Sequence, residues 1–204
     1  EAQSQNPSTD DVGFIRAMVD ELVRSFQANR KRVYIVGTSN GGHISIRMAL
    51  ESPSTIAAFA ANSASLAGNS ACAEARGQVS ALFVNGTEDR LMPYEGGQMT
   101  GRRGLVLSTE DSVAYWVDLN QTELTPTVFA YPDLDPSDGS TVERFSYAAG
   151  AGSFAAVQLL RVNGGGHASP SQVSSIAVPF LGPQNADIEL AEEVWAFFGN
   201  QVQP

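Results

Sequence analysis

A chain of 204 residues, 43% of them hydrophobic and 17% charged, is long enough to bury a sizeable core within one domain. Its net charge of −10 excludes the basic footprint of a nucleic-acid binder and attraction to an anionic membrane surface. No apolar run is long enough to span a bilayer, and the single cysteine, Cys72, excludes an internal disulfide and reads as a small structural residue. From the N-terminus, Val12, Ile15, Val19, Leu22, Val23 and Phe26 predict one face of a helix, with Ser8, Thr9 or Asp10 as its N-cap. The stretch 29–32 closes it ahead of an apolar strand at 33–36. A second helix turns Ile44, Met48 and Ala49 inward and stops at Ser52-Pro53. Residues 56–61 predict the next strand, and 81–84 another. A helix from about Ser108 carries Val113, Trp116 and Val117 inward. The apolar stretch 154–162 precedes a final helix at 187–198, with Ala191, Val194, Trp195 and Phe198 on one stripe and Gly199 at its end. Residues 133–140 and 150–152 are connections within the domain. Alternating strands and helices predict a mainly parallel sheet covered on both faces.

The first strand runs directly into Gly37-Thr38-Ser39-Asn40-Gly41-Gly42. A strand, Gly-x-Ser-x-Gly and then a helix is the setting of a nucleophile elbow, in which a tight strained turn lifts the serine hydroxyl above the sheet. Gly37 and Gly41 flank the serine where side chains are expected to clash, with Gly42 adding slack. The Asn40 backbone N–H is then placed as one oxyanion donor. A serine nucleophile needs a base and an orienting acid, and the chain has two histidines. His43 falls on the first turn after the elbow and is expected near Ser39 as a helix residue. His167 closes Asn163-Gly164-Gly165-Gly166-His167, a glycine run that suits a strand end bending a ring into a cleft. Between them, Asn85-Gly86-Thr87-Glu88-Asp89 places carboxylates just past another strand. The chain order Ser39, Asp89, His167 is that of the α/β-hydrolase fold.

These three blocks, with the continuation Arg90-Leu91-Met92-Pro93-Tyr94-Glu95-Gly96-Gly97, the lead-in Asp11-Val12-Gly13-Phe14-Ile15-Arg16 and the ending Glu192-Glu193-Val194-Trp195-Ala196-Phe197-Phe198, resemble the polyhydroxybutyrate depolymerase and feruloyl esterase-like branch of the α/β-hydrolases. The resemblance covers about residues 10–198. It implies an α/β-hydrolase three-layer sandwich, an ester substrate, no cofactor or metal, and a secreted or periplasmic enzyme. It also implies Ser39 as nucleophile, Asp89 as acid and His167 as base, with Glu88 the rival acid. Tyr94, after the acid loop, and Thr38, beside the serine, are the candidates for the substrate pocket. Such folds begin with several strands before the elbow and take a second oxyanion N–H from a loop after one of them. The ten or so residues before the first helix leave no room for these, so the chain reads as the C-terminal two thirds of the fold. Ala168-Ser169-Pro170 stands where an aromatic often follows the base, and Asn85 where a histidine is common.

Three functions remain open at this level: an esterase, a serine peptidase of the oligopeptidase type, and a half that works only by assembly with a missing segment or as an oligomer. The acidic stretch Asp133-Leu134-Asp135-Pro136-Ser137-Asp138-Gly139 lacks the spacing of a calcium loop and reads as a solvated turn. Asn85 and Asn120 begin glycosylation patterns, and the first, inside the loop that carries Asp89, reads as chance. Trp116, Trp195, Phe197 and Phe198 read as core.

Overall fold

The structure, a computed structural model, describes residues 9–69, 77–174 and 179–204; Cys72 and the cap candidate Ser8 lie outside the described residues. Among the described residues, four α-helices and eight strands follow in the order α1 (Asp11–Phe26), β1 (Tyr34–Thr38), α2 (Asn40–Glu51), β2 (Ala58–Asn62), β3 (Ser80–Gly86), β4 (Gly97–Gln98), β5 (Leu105–Val106), α3 (Thr109–Asn120), β6 (Thr127–Ala130), β7 (Thr141–Tyr147), β8 (Val157–Asn163) and α4 (Leu190–Gly199). Six strands form one sheet in the order β1-β2-β3-β8-β7-β6, and β4 and β5 form a separate hairpin. The strands β1, β2, β3 and β8 are parallel, while β7 runs antiparallel to both its neighbours.

The period-two alternation of the central strands builds two cores. Phe59 and Ala61, Ala81 and Phe83, and Val157 and Leu159 face α1, α2 and α3, where Trp116 packs on Phe59 at 4.9 Å between ring centroids. The intervening residues Ala58 and Ala60, Leu82 and Val84, and Leu160 and Val162 face α4 through Val194, Phe197 and Phe198. Helices cover both faces of a mostly parallel sheet, as expected.

The helix starts follow local chemistry. The Asp10 carboxylate accepts from the Gly13 N–H at 2.8 Å and caps α1, and the Ser108 hydroxyl accepts from Asp111 N–H and caps α3. Two helix stripes differ from expectation. In α1, Val12 and Val19 are buried, with Ile15 packed against the core and Val23 half-buried, whereas Leu22 and Phe26 are 43% and 73% exposed. In α4, Trp195 is 69% exposed and Ala191 is exposed, because the inward face is set by Val194, Phe197 and Phe198. Helical spacing defines a stripe broader than the sheet can cover, and residues at its margin stay outside. Trp195 lines an apolar groove with Val36 of the edge strand β1 rather than the core. No helix among the described residues is long and apolar enough to cross a membrane.

Candidate active site

Three strand ends on one edge of the sheet converge on a cavity of about 500 Å3. Because β1, β3 and β8 are parallel, the loops after them emerge on the same side, where α/β sheets bind ligands. Ser39 immediately follows β1, Asp89 lies three residues past β3, and His167 four residues past β8.

Ser39 has φ 57° and ψ −114°, a conformation that L-residues rarely hold and that costs on the order of 1–3 kcal/mol. Its N–H donates to Asn62 O at 2.9 Å and its carbonyl accepts from His43 N–H at 3.0 Å, so the strain is fixed by β2 on one side and α2 on the other. Asn40 is the first residue of α2, so its N–H has no partner within the helix. Ser39 and Asn40 both line the cavity.

The flanking glycines divide unequally. A Cβ on Gly37 would lie 2.2 Å from the Gly41 carbonyl, and one on Gly42 would lie 2.5 Å from Ala64 Cβ. A Cβ on Gly41 would meet nothing within 4 Å. The close approach thus demands glycine at 37 and 42, not at 41. Gly42 is a tight contact between α2 and the end of β2 rather than slack.

His167 is buried and also lines the cavity, and its Nδ1 is 2.7 Å from Asp89 Oδ2. An ionised carboxylate only accepts, so Nδ1 carries the ring proton and Nε2 is left as the basic nitrogen. The other oxygen, Asp89 Oδ1, accepts from the backbone N–H groups of Leu91 and Met92, each at 2.8 Å. Glu88, the rival acid, is exposed, and its N–H donates to Gly165 O. The acid and histidine loops are joined closely: Gly164 N–H donates to Thr87 Oγ1 at 2.8 Å, and a Cβ on Gly86 would lie 2.2 Å from Gly165 O. The glycine run is a close backbone approach as much as a bend. Behind His167, Ser63 Oγ donates to its carbonyl at 3.1 Å.

Two pocket candidates fall elsewhere. Tyr94 is buried and does not line the cavity; its hydroxyl donates to Glu110 at 2.6 Å, and burial together with that carboxylate pushes the phenol well above its usual range. Thr38 is exposed beside the site, within 3.4 Å of Ser169 Oγ and accepting from Asn62 Nδ2. The cavity wall comes instead from Leu91, Met92, Met99, Thr100, Gly101, Arg103 and Phe180. Most of these ride on the β4–β5 hairpin, whose contact with the site is long-range and carries no local motif.

Two further residues lie close by. His43 is buried and outside the cavity wall, with Nε2 unpartnered among the described residues; burial above all pushes its pKa down to about 4. Asn85 is buried, accepts from Ala64 N–H, and donates to Ala64 O, Ser65 Oγ and Thr109 Oγ1, tying the end of β3 to the loop after β2 and to α3. With Asn120 also fully buried, neither glycosylation pattern is open to modification in the folded chain. Asp135 and Asp138 accept from Ser137 and Ser140 within turns of the acidic stretch. No group of metal-ligating side chains occurs among the described residues.

No protein-family model matches the sequence. It is 35% identical over 86 residues to NocK of Nocardia uniformis subsp. tsuyamanensis, a protein named as an esterase. That match covers 42% of this chain and about a quarter (25%) of NocK. Among solved structures, the acetyl xylan esterase of Aspergillus awamori superposes with a TM-score of 0.54 at 14% identity, over 93% of this chain and 67% of that one. The fold is α/β-hydrolase-like.

Proposed function

We propose that this chain is a serine carboxylic-ester hydrolase acting through an acyl-enzyme, on short-chain, hydroxyalkanoate or hydroxycinnamoyl esters. The observation that carries the reading is the pairing of a strained Ser39 at a helix start with a His167 whose Nδ1 is held by Asp89, both side chains on one cavity. The likeness to a protein named as an esterase and to an acetyl xylan esterase supports it.

In the proposed cycle, Ser39 Oγ attacks the ester carbonyl while His167 Nε2 takes its proton. The tetrahedral oxyanion accepts from the Asn40 N–H; one such donor is worth about 2.7–4 kcal/mol in known hydrolases. Collapse expels the alkoxide, which takes the proton back from His167 and leaves as the alcohol. Water, deprotonated by the same nitrogen, then attacks the acyl-enzyme and releases the acid and free Ser39. Asp89 keeps the tautomer and stabilises the imidazolium without itself being protonated. Leu91, Met92, Met99 and Phe180 provide an apolar wall for the acyl or alcohol group.

The test is hydrolysis of 4-nitrophenyl acetate and butyrate by the chain and by its Ser39→Ala variant. Turnover lost in the variant, with folding intact, supports the reading. Equal rates in the two proteins refute it, and cleavage of peptide but not ester substrates would move the assignment to a serine peptidase.

A further inference from the structure

Among the described residues that line the cavity, one is a permanent cation. Arg103 lines the same cavity as Ser39 and His167, on a chain whose net charge is −10. Among the described residues it has no carboxylate within ion-pair distance.

Its position is built by the hairpin. Met99 N–H donates to Gly104 O at 3.0 Å, which closes a loop whose central residues Gly101 and Arg102 both have positive φ, 76° and 56°. Thr100 and Arg103, at the two ends of that loop, both line the cavity. The tip is pinned to the acid loop: Thr100 N–H donates to Leu91 O, and Thr100 Oγ1 donates to Arg90 O at 2.6 Å. Beneath it Met92, Met99 and Val106 form a small buried apolar cluster. The hairpin backbone is therefore tied to the loop that carries Asp89, and Arg103, although exposed, stands where it lines the cavity.

A guanidinium without a protein carboxylate, on a cavity whose wall also carries Leu91, Met92, Met99 and Phe180, fits a ligand with an apolar body and an anionic end. We propose that Arg103 is a specificity residue for esters that carry a carboxylate away from the scissile bond. This deepens the esterase reading above and rests on it. The carboxylate can sit on the acyl side, as in a dicarboxylic hemiester, or on the alcohol side.

The experiment compares kcat/KM within matched pairs at low ionic strength. The 4-nitrophenyl hemiester of glutarate against 4-nitrophenyl pentanoate reads the acyl side, and 4-acetoxybenzoate against phenyl acetate reads the alcohol side. In at least one pair, wild type is expected to favour the anionic ester by about fivefold over its neutral partner after correction for intrinsic reactivity, as suits one partly solvated ion pair. That ratio should shrink in 0.5 M salt, as the screening length contracts from about 30 Å at 0.01 M to about 4 Å. It should fall to about one in Arg103→Gln, invert in Arg103→Glu and be largely kept in Arg103→Lys. A wild-type ratio of one in both pairs, or a ratio unmoved by Arg103→Gln, overturns the proposal. Binding of the glutarate hemiester and of 4-acetoxybenzoate to Ser39→Ala, by calorimetry, separates this from failure of the esterase reading. Affinity for either lost in Ser39→Ala/Arg103→Gln supports the anion site even without turnover, and affinities unchanged there refute it.

Discussion

Asp89 meets His167 with one carboxylate oxygen and its own loop with the other. Oδ2 lies 2.7 Å from His167 Nδ1, while Oδ1 accepts the N–H groups of Leu91 and Met92. The carboxylate is thus fixed by the backbone of the following residues while its other oxygen holds the ring. Asp89→Asn can keep the loop bonds through its amide oxygen but turns an NH2 group toward Nδ1, which selects the wrong tautomer. The expected loss in kcat is about 10³–10⁴-fold, with unfolding free energy changed far less than activity. Glu88→Gln, on the exposed neighbour, should leave kcat within about twofold, since surface substitutions away from such features have small effects. Loss of activity in Glu88→Gln but not in Asp89→Asn would reverse the assignment of the acid.

The elbow glycines give a paired test in which chemistry is constant and only position changes. Gly37→Ala pushes a methyl group to within 2.2 Å of the Gly41 backbone and should destabilise by about 1–3 kcal/mol and abolish activity. Gly41→Ala enters open space inside α2 and should be tolerated, with up to about 1 kcal/mol of added stability from helix propensity. Urea unfolding of the two variants, read with ester turnover, decides it. Equal damage from both would mean that the turn is tighter at 41 than the backbone geometry allows.

Ser39 holds a conformation suited to glycine. Ser39→Gly should therefore be more stable than Ser39→Ala by about 1–2 kcal/mol, although glycine usually weakens a folded chain. Thermal melting of the two inactive variants checks this. A less stable Ser39→Gly would show that the elbow is not strained.

The convergence of Ser39, Asp89 and His167 on one candidate site was legible because its signals are local. A strand running into Gly-Thr-Ser-Asn-Gly, a carboxylate pair after a second strand and a histidine after three glycines each announce a loop at a strand end, and parallel topology brings the three loops together. Arg103 and Phe180 were not legible, since a hairpin and a 3₁₀ turn (Pro179–Leu181) deliver them from sequence positions with no motif. Tyr94 misled because proximity in sequence to Asp89 does not fix direction: its ring turns inward to Glu110. Leu22, Phe26 and Trp195 sit at the margins of apolar stripes, and spacing alone cannot say how much of a stripe the sheet covers.

His43 makes stability depend on pH. Its pKa is about 4 in the folded chain against about 6.5 when exposed, so below pH 6.5 the unfolded chain takes up a proton that the folded chain refuses. Stability is then full above about pH 6.5 and falls as pH drops toward 4, by about 3 kcal/mol over the window. Urea unfolding from pH 7.5 to 4 should show wild type losing that much more than His43→Gln, which removes the titrating ring. Parallel curves for the two proteins would exclude His43 as the cause.

The central claim is that Ser39 is the acylated nucleophile, and active-site labelling with a fluorophosphonate tests it most directly. Peptide mapping by mass spectrometry should place one adduct on Ser39, and the label should be lost in Ser39→Ala and strongly slowed in His167→Ala. An adduct on another residue, or ester turnover persisting in Ser39→Ala without one, would contradict it.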